Sequence, residues 1–157
     1  MRGHAPIFSS QSVEWATPAA LYDALNAEFQ FDYDPCPLNG NGDGLSSLLS
    51  VWTGKRVYCN PPYGPGIARW LERAREADLA VYLLPARSDT RWFHDLVLPR
   101  ASEIRFIRGR LKFGGAQHGA PFPSMVVIYH NLPSNNSIPL QVYGGTVSCV
   151  DNIGQVR

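Results

Sequence analysis

The stretch Arg56-Val57-Tyr58-Cys59-Asn60-Pro61-Pro62-Tyr63 decides the reading of this chain. Arg56 to Cys59 reads as a strand. Pro61-Pro62 stops it, because proline lacks the backbone donor that a central ladder needs. Downstream, residues 66–77 fit an amphipathic helix with Ile67, Trp70, Leu71 and Ala74 on its inner face. Leu79 to Leu84 is a continuous apolar run, as expected of a strand buried on both sides. Residues 89–98 suggest another helix, with Asp89 as its cap, and Ile104 to Ile107 and Met125 to Tyr129 add strands. Upstream, residues 17–29 read as a helix: Thr17 can cap it, Pro18 suits its first position, and Leu21, Leu25 and Phe29 share one face. Phe31 to Asp34 is a short strand that ends on Asp34-Pro35. Strands alternating with helices predict an α/β fold, a three-layer, mostly parallel, Rossmann-like sheet.

The chain has 157 residues, the size of one domain, with 45% hydrophobic and 17% charged residues. We divide it into a flexible arm at 1–12, a catalytic domain at 13–130, and an Asn-, Ser- and Gly-rich extension at 131–157. In that extension Gly144-Gly145 suits a small hairpin, with disorder as the alternative. A net charge of +1 carries no general nucleic-acid signal, so any such surface must come from a local cluster. Cys36, Cys59 and Cys149 form no close pair, and the four histidines are scattered; a disulfide framework and a metal site are not expected. Residues 1–20 hold no apolar signal core, and no run is long enough to span a bilayer. The expected setting is the cytoplasm, away from any membrane.

In an open α/β sheet, ligands bind beyond the carboxyl ends of the strands. Asp34-Pro35-Cys36, Asn60-Pro61-Pro62-Tyr63 and Pro85-Ala86-Arg87-Ser88 all fall at such ends. Two prolines stiffen the second segment, so the side-chain oxygen of Asn60 and the neighbouring carbonyls can be aimed at one point as acceptors. That arrangement suits an aromatic amine such as that of adenine. Its lone pair is delocalised into the ring, and acceptors on its hydrogens favour the ammonium-like transition state. Tyr63 offers a flat face for a base drawn out of a duplex. A plain strand-ending turn beside a buried aromatic would use the same residue types.

A longer ordered pattern runs through the chain: Trp15-x-Thr17-Pro18, Phe31-x-x-Asp34-Pro35-Cys36, Asp43-Gly44-Leu45, Trp52, Asn60-Pro61-Pro62-Tyr63-Gly64, Leu83-Leu84-Pro85-Ala86, Asp89-Thr90-x-Trp92-Phe93, and Arg105-Phe106-Ile107-x-Gly109-Arg110-Leu111-x-Phe113. Over residues 13–130 it resembles the phage-type DNA N-6-adenine methyltransferases, the phage Dam family. The resemblance implies methyl transfer from S-adenosylmethionine to the exocyclic amine of adenine in DNA, with protection from restriction as a role. It implies that Asn60, Pro61, Pro62 and Tyr63 are catalytic. It places Trp15, Thr17, Pro18, Asp34, Pro35, Cys36 and Asp43 around the cofactor. Asp34 would meet the methionine amino group, the helix start at Thr17-Pro18 its carboxylate, and Asp43 the ribose. A turn-forming Asp34, a capping Thr17 and a loop Asp43 are the plainer roles of those residues.

The chain departs from larger adenine methyltransferases in one respect. No Gly-rich cofactor loop follows Asp34-Pro35, and Asn39-Gly40-Asn41-Gly42 stands in the wrong register to replace it. The 23 residues between Cys36 and Asn60 cannot hold the second and third strands of a full seven-stranded sheet with their helices, so a truncated sheet is expected. Residues 100–112 carry Arg100, Arg105, Arg108, Arg110 and Lys112 against Glu103. Of these, Arg105, Arg108, Arg110 and Lys112 are the expected phosphate contacts, against the alternative of a solvated strand face. Arg69, Arg73 and Arg75 are expected on the outer face of their helix, with Glu72 and Glu76 as partners. Three other readings stay open: a cytosine-N4 methyltransferase, an RNA adenine methyltransferase, and a non-catalytic nucleic-acid-binding module. Asn60 disfavours the first, because serine is commoner before Pro-Pro in cytosine enzymes.

Overall fold

The computed structural model describes residues 15–38, 43–46, 51–131 and 146–150. The arm at 1–12, the run Asn39-Gly40-Asn41-Gly42 and the Gly144-Gly145 turn lie outside the described residues.

Helix α1 spans Ala19–Phe29 and buries Leu21, Leu25 and Phe29, the three positions its periodicity marks. Pro18, not Thr17, occupies the N-cap, and no side chain caps the helix. Gln30 closes it in the left-handed region at φ 52°, and its N–H reaches the Asn26 carbonyl at 2.8 Å. The Asn26 side chain then accepts from the Phe31 N–H at 2.9 Å and supports the turn.

Five strands form one mixed sheet in the order β1 (Arg56–Cys59), β2 (Leu79–Pro85), β4 (Ser124–His130), β3 (Glu103–Ile107) and β5 (Thr146–Val150). β1 pairs parallel with β2, from Arg56 opposite Leu79 to Cys59 opposite Tyr82. β4 lies antiparallel between β2 and β3. Four strands therefore share one direction, and the expected mostly parallel sheet is interrupted by β4. The cause is local. Residues 108–123 hold a single 3-10 turn, Phe113–Gly115, and no crossover helix, so the chain returns beside β3 in the opposite sense.

Two expectations need correction at the sheet edges. Phe31 to Asp34 forms no regular strand; it meets β1 through one parallel bridge, Tyr33 to Val57. Residues 146–150, placed in a terminal extension by composition, instead form β5, parallel to β3 from Glu103 opposite Thr146 to Ile107 opposite Val150. Their alternation of Val147 and Cys149 is too short to signal a strand after Gly144-Gly145.

Apolar side chains cover both faces of the sheet. Leu21, Leu25 and Phe29 pack with Tyr58, Val81, Leu83, Val126 and Ile128 on one face. Helix α2 (Ile67–Glu72) puts Ile67, Trp70 and Leu71 on the other, with Trp52, Tyr82 and Val127. All seven residues of β2 are buried, as a two-sided apolar run requires. The expected helix at 89–98 becomes a π-helical turn, Phe93–Val97, in which the Leu98 N–H bonds the Phe93 carbonyl at 2.9 Å. Thr90, not Asp89, accepts from the Phe93 N–H. Among the described residues no helix is long and apolar enough to cross a membrane.

Candidate active site

The parallel strands deliver their carboxyl ends to one edge, and three of the expected segments meet there. Asn60 follows the last residue of β1. Its amide nitrogen donates to the Trp15 carbonyl and, at 3.2 Å, to Thr17 Oγ1. Its side-chain oxygen is buried and has no hydrogen-bond partner among the described residues. Such an acceptor costs about 1–3 kcal/mol in lost solvation. After it, Pro61 is buried and Pro62 exposed.

Tyr63 is half-buried, and its hydroxyl donates to the Leu83 carbonyl of β2 at 3.1 Å. Burial pushes that hydroxyl's pKa well up, so it stays a donor. The ring stands edge-on to Phe122 at 5.5 Å and to Phe113 at 6.4 Å. Trp15 packs edge-on against the same two rings, at 5.4 and 5.3 Å. Four aromatic side chains thus form one wall beside Asn60. Phe122 carries no sequence signal of its own, since a Phe between prolines in a loop has no periodicity.

The Tyr33 bridge sets Asp34 beside Tyr58 and Cys59; burial is the main cause that raises the pKa of both, and the Asp34 charge adds to it. Asp34 Oδ1 accepts from the Cys36 N–H at 2.9 Å, a turn of the kind Asp-Pro favours. Burial raises the Asp34 pKa, and the Cys36 N–H partly opposes it. No cation among the described residues pairs with it. Pro35 is buried under the 3-10 turn Asp43–Leu45. That contact requires Gly44: a Cβ there would stand 1.9 Å from the Pro35 carbonyl oxygen. Asp43 is thereby carried to the same edge as Asp34. Cys36 is half-buried, and the Cys59 thiol is fully buried with its pKa pushed well up by burial, which suits packing and not reactivity.

At the end of β2 the Ala86 N–H bonds the Pro123 carbonyl at 2.8 Å. Opposite Pro85, the Ser124 hydroxyl is buried and also lacks a partner among the described residues. The two buried side-chain oxygens without partners among the described residues both lie on this edge.

The basic cluster divides. Arg108, Arg110 and Lys112 are exposed in the segment that leaves β3 at the same edge. Arg105 does not belong with them. Its side chain is buried between Glu28 and Glu103, with Arg105 Nη1 2.6 Å from Glu28 Oε2 and Nε 2.7 Å from Glu103 Oε1. Alternation along β3 turns it inward, toward Phe29. Arg73 likewise leaves the expected outer face. It is buried over the Trp52 ring at 5.0 Å and donates to the Gly44 carbonyl at 3.0 Å, while pairing with Glu76.

The family model described as DNA N-6-adenine-methyltransferase (Dam) matches residues 7–142. A solved structure from Listeria monocytogenes, assigned to the class I S-adenosylmethionine-dependent methyltransferases, is similar at 14% identity with a TM-score of 0.48. The similarity covers 69% of this chain and 40% of that one. No curated protein matches the sequence. With the family match running through α1, the Asn60 turn and the sheet as far as β4, the chain belongs to the Dam family of DNA N-6-adenine-methyltransferases.

Proposed function

We propose that this chain transfers a methyl group from S-adenosylmethionine to the exocyclic amine of adenine in DNA. One observation carries the reading: the buried, unpaired side-chain oxygen of Asn60 at the end of β1. Native folds rarely leave such an atom unmet, and a catalytic acceptor awaiting a donor accounts for it. An aromatic amine brings two N–H donors. The Asn60 oxygen would take one, and the Pro61 carbonyl is the candidate for the other. Both interactions strengthen as the nitrogen gains positive charge, so they act on the transition state more than on binding. The Tyr63 hydroxyl, held by Leu83, fixes the ring on which an extruded adenine would stack.

The residues present fit the cofactor. Asp34 is a half-buried carboxylate with no cation beside it among the described residues, suited to an ammonium group. The start of α1 at Pro18 carries no side-chain cap, so its first N–H groups can face a carboxylate. Asp43 on the turn docked against Pro35 would accept ribose hydroxyls. When bound, S-adenosylmethionine supplies an electrophilic methyl group; the chain's own task is to hold the amine in line with it. Arg108, Arg110 and Lys112 would meet phosphates, and Arg105 would not.

We read the sheet as a shortened three-layer methyltransferase sheet. Support comes from the two apolar faces and from residues 37–55, where the described residues hold one 3-10 turn and no strand. The test is direct. The purified chain is incubated with unmethylated DNA and isotope-labelled S-adenosylmethionine, and the nucleosides are analysed by mass spectrometry. N6-methyladenine is expected; N4-methylcytosine, or label in neither base, overturns the reading.

A further inference from the structure

Asn60 can serve as an acceptor only if its amide faces one way. A flipped side chain would turn its oxygen toward the Trp15 carbonyl and its nitrogen toward the substrate amine, donor against donor. Two groups oppose the flip, and both come from the segment just before α1. The Trp15 carbonyl, an acceptor only, takes one Asn60 N–H. Thr17 Oγ1 also accepts from that nitrogen, at 3.2 Å, and opposes the flip when its own O–H is directed to Tyr58. Thr17 is free for this because α1 starts at Ala19, behind Pro18, and draws no side-chain cap from it. The Thr17 hydroxyl also bonds the Tyr58 hydroxyl, on a tyrosine only 2% exposed. Segment 15–17 is itself anchored: the Gly114 N–H bonds the Ala16 carbonyl at 3.0 Å, and Trp15 packs between Phe113 and Phe122.

We infer that Thr17, backed by Tyr58, is a positioning residue that sets the amide orientation of Asn60 and so keeps the Asn60 oxygen turned to the target amine. This rests on the proposed function of Asn60. The hydroxyl pair has the right chemistry. Thr17 can accept from Asn60 while its own O–H is directed to Tyr58, and a valine would fill the same space without the acceptor. Burial keeps the Tyr58 pKa far above its usual value, so the partner remains a neutral hydroxyl over the working pH range. The effect must appear in the chemical step. Neither hydroxyl is assigned a contact with DNA, and the rate depends on the Asn60 oxygen lying where the amine hydrogen will be.

The experiment compares Thr17→Val, Thr17→Ser and Tyr58→Phe, each alone, and Thr17→Val combined with Asn60→Ala. Single-turnover transfer is measured at saturating DNA and cofactor. Thr17→Val should slow it about tenfold, the worth of one hydrogen bond, with the KM for DNA unchanged. Thr17→Ser should recover most of the rate, and Tyr58→Phe should fall between. In the Asn60→Ala background Thr17→Val should add nothing, because its effect passes through Asn60. A second readout needs no turnover. The Asn60 side-chain NH2 protons, followed by 15N NMR, should exchange with solvent faster in Thr17→Val than in the parent. An additive double variant, a serine variant as slow as the valine one, or unchanged NH2 exchange would each overturn the inference. If the parent itself methylates no adenine, the function of Asn60 fails first, while faster NH2 exchange in Thr17→Val would still uphold the orientation.

Discussion

Asn60 and Arg105 are both polar side chains drawn into the fold, and the fold treats them in opposite ways. Arg105 sits 5% exposed, forked onto Glu28 and Glu103 by four hydrogen bonds and laid over Phe29. Asn60 has its nitrogen satisfied and its oxygen left open. A saturated polar group holds elements together; here it joins α1 to β3. An open one is tolerated only where something else is expected to fill it. The contrast separates the structural cation from the reactive edge, and each of the following measurements bears on it.

The largest effect belongs to Asn60→Ala. Single-turnover methyl transfer should fall by about 10²–10³, by analogy with removing one preorganised oxyanion-hole donor. Thermal stability should change little, because removing the unpaired buried oxygen offsets the loss of the amide hydrogen bonds to Trp15 and Thr17. A rate within a few-fold of the parent would make Asn60 a turn residue.

Arg105→Ala should show the mirror image: stability lost, site chemistry kept. We expect about 2–3 kcal/mol by denaturant titration, less than for a fully buried pair because the Glu28 side chain is 46% exposed. The salt dependence of DNA binding should not change. Replacing Arg108 and Arg110 with Ala should instead flatten that slope by up to about two and leave stability alone. If Arg105→Ala flattens the slope at parental stability, the division of the basic cluster is wrong.

Asp34 should behave as an open group like Asn60. Asp34→Ala should weaken S-adenosylmethionine binding about tenfold by calorimetry, the loss of one charge-assisted hydrogen bond. Its pKa is raised in the fold, and the signs follow from that direction. Its contribution to stability is fully present below the ordinary Asp range and is lost as pH rises through the raised value. Cofactor binding needs the carboxylate, so it should weaken as pH falls through that same value. Stability and affinity moving together there would exclude Asp34 from the cofactor.

The smallest effect is expected at Glu28. The hydrogen bond from Arg105 lowers its pKa, so its contribution is present above the ordinary Glu range and is lost as pH falls through the lowered value. Glu28→Gln should cost under about 1 kcal/mol at neutral pH, given the exposure of the pair, and that difference should vanish in acid. A difference that grows in acid would contradict the pairing with Arg105.

Sequence alone determined what is written in local signals. Pro61-Pro62 marks the end of β1 because proline lacks the backbone donor that a ladder needs, and Asp34-Pro35 marks a turn. The i, i+4 spacing of Leu21, Leu25 and Phe29 marks a buried helix face, and the apolar run from Leu79 marks a two-sided strand. Those signals were enough to bring Asn60 and Asp34 to one edge of an α/β sheet. Tertiary structure alone decided which partners these residues meet. Thr17 has the composition of a helix cap, yet it faces Asn60, 43 residues away. Arg105 has the composition of a phosphate contact, yet it closes on Glu28, 77 residues away. β4 runs backwards because of what the preceding loop lacks, and β5 finds β3 across a polar, Asn-rich stretch of sequence. Local propensity acts over a few residues, whereas the burial of a charge or the pairing of a hydroxyl is fixed only once distant segments have packed.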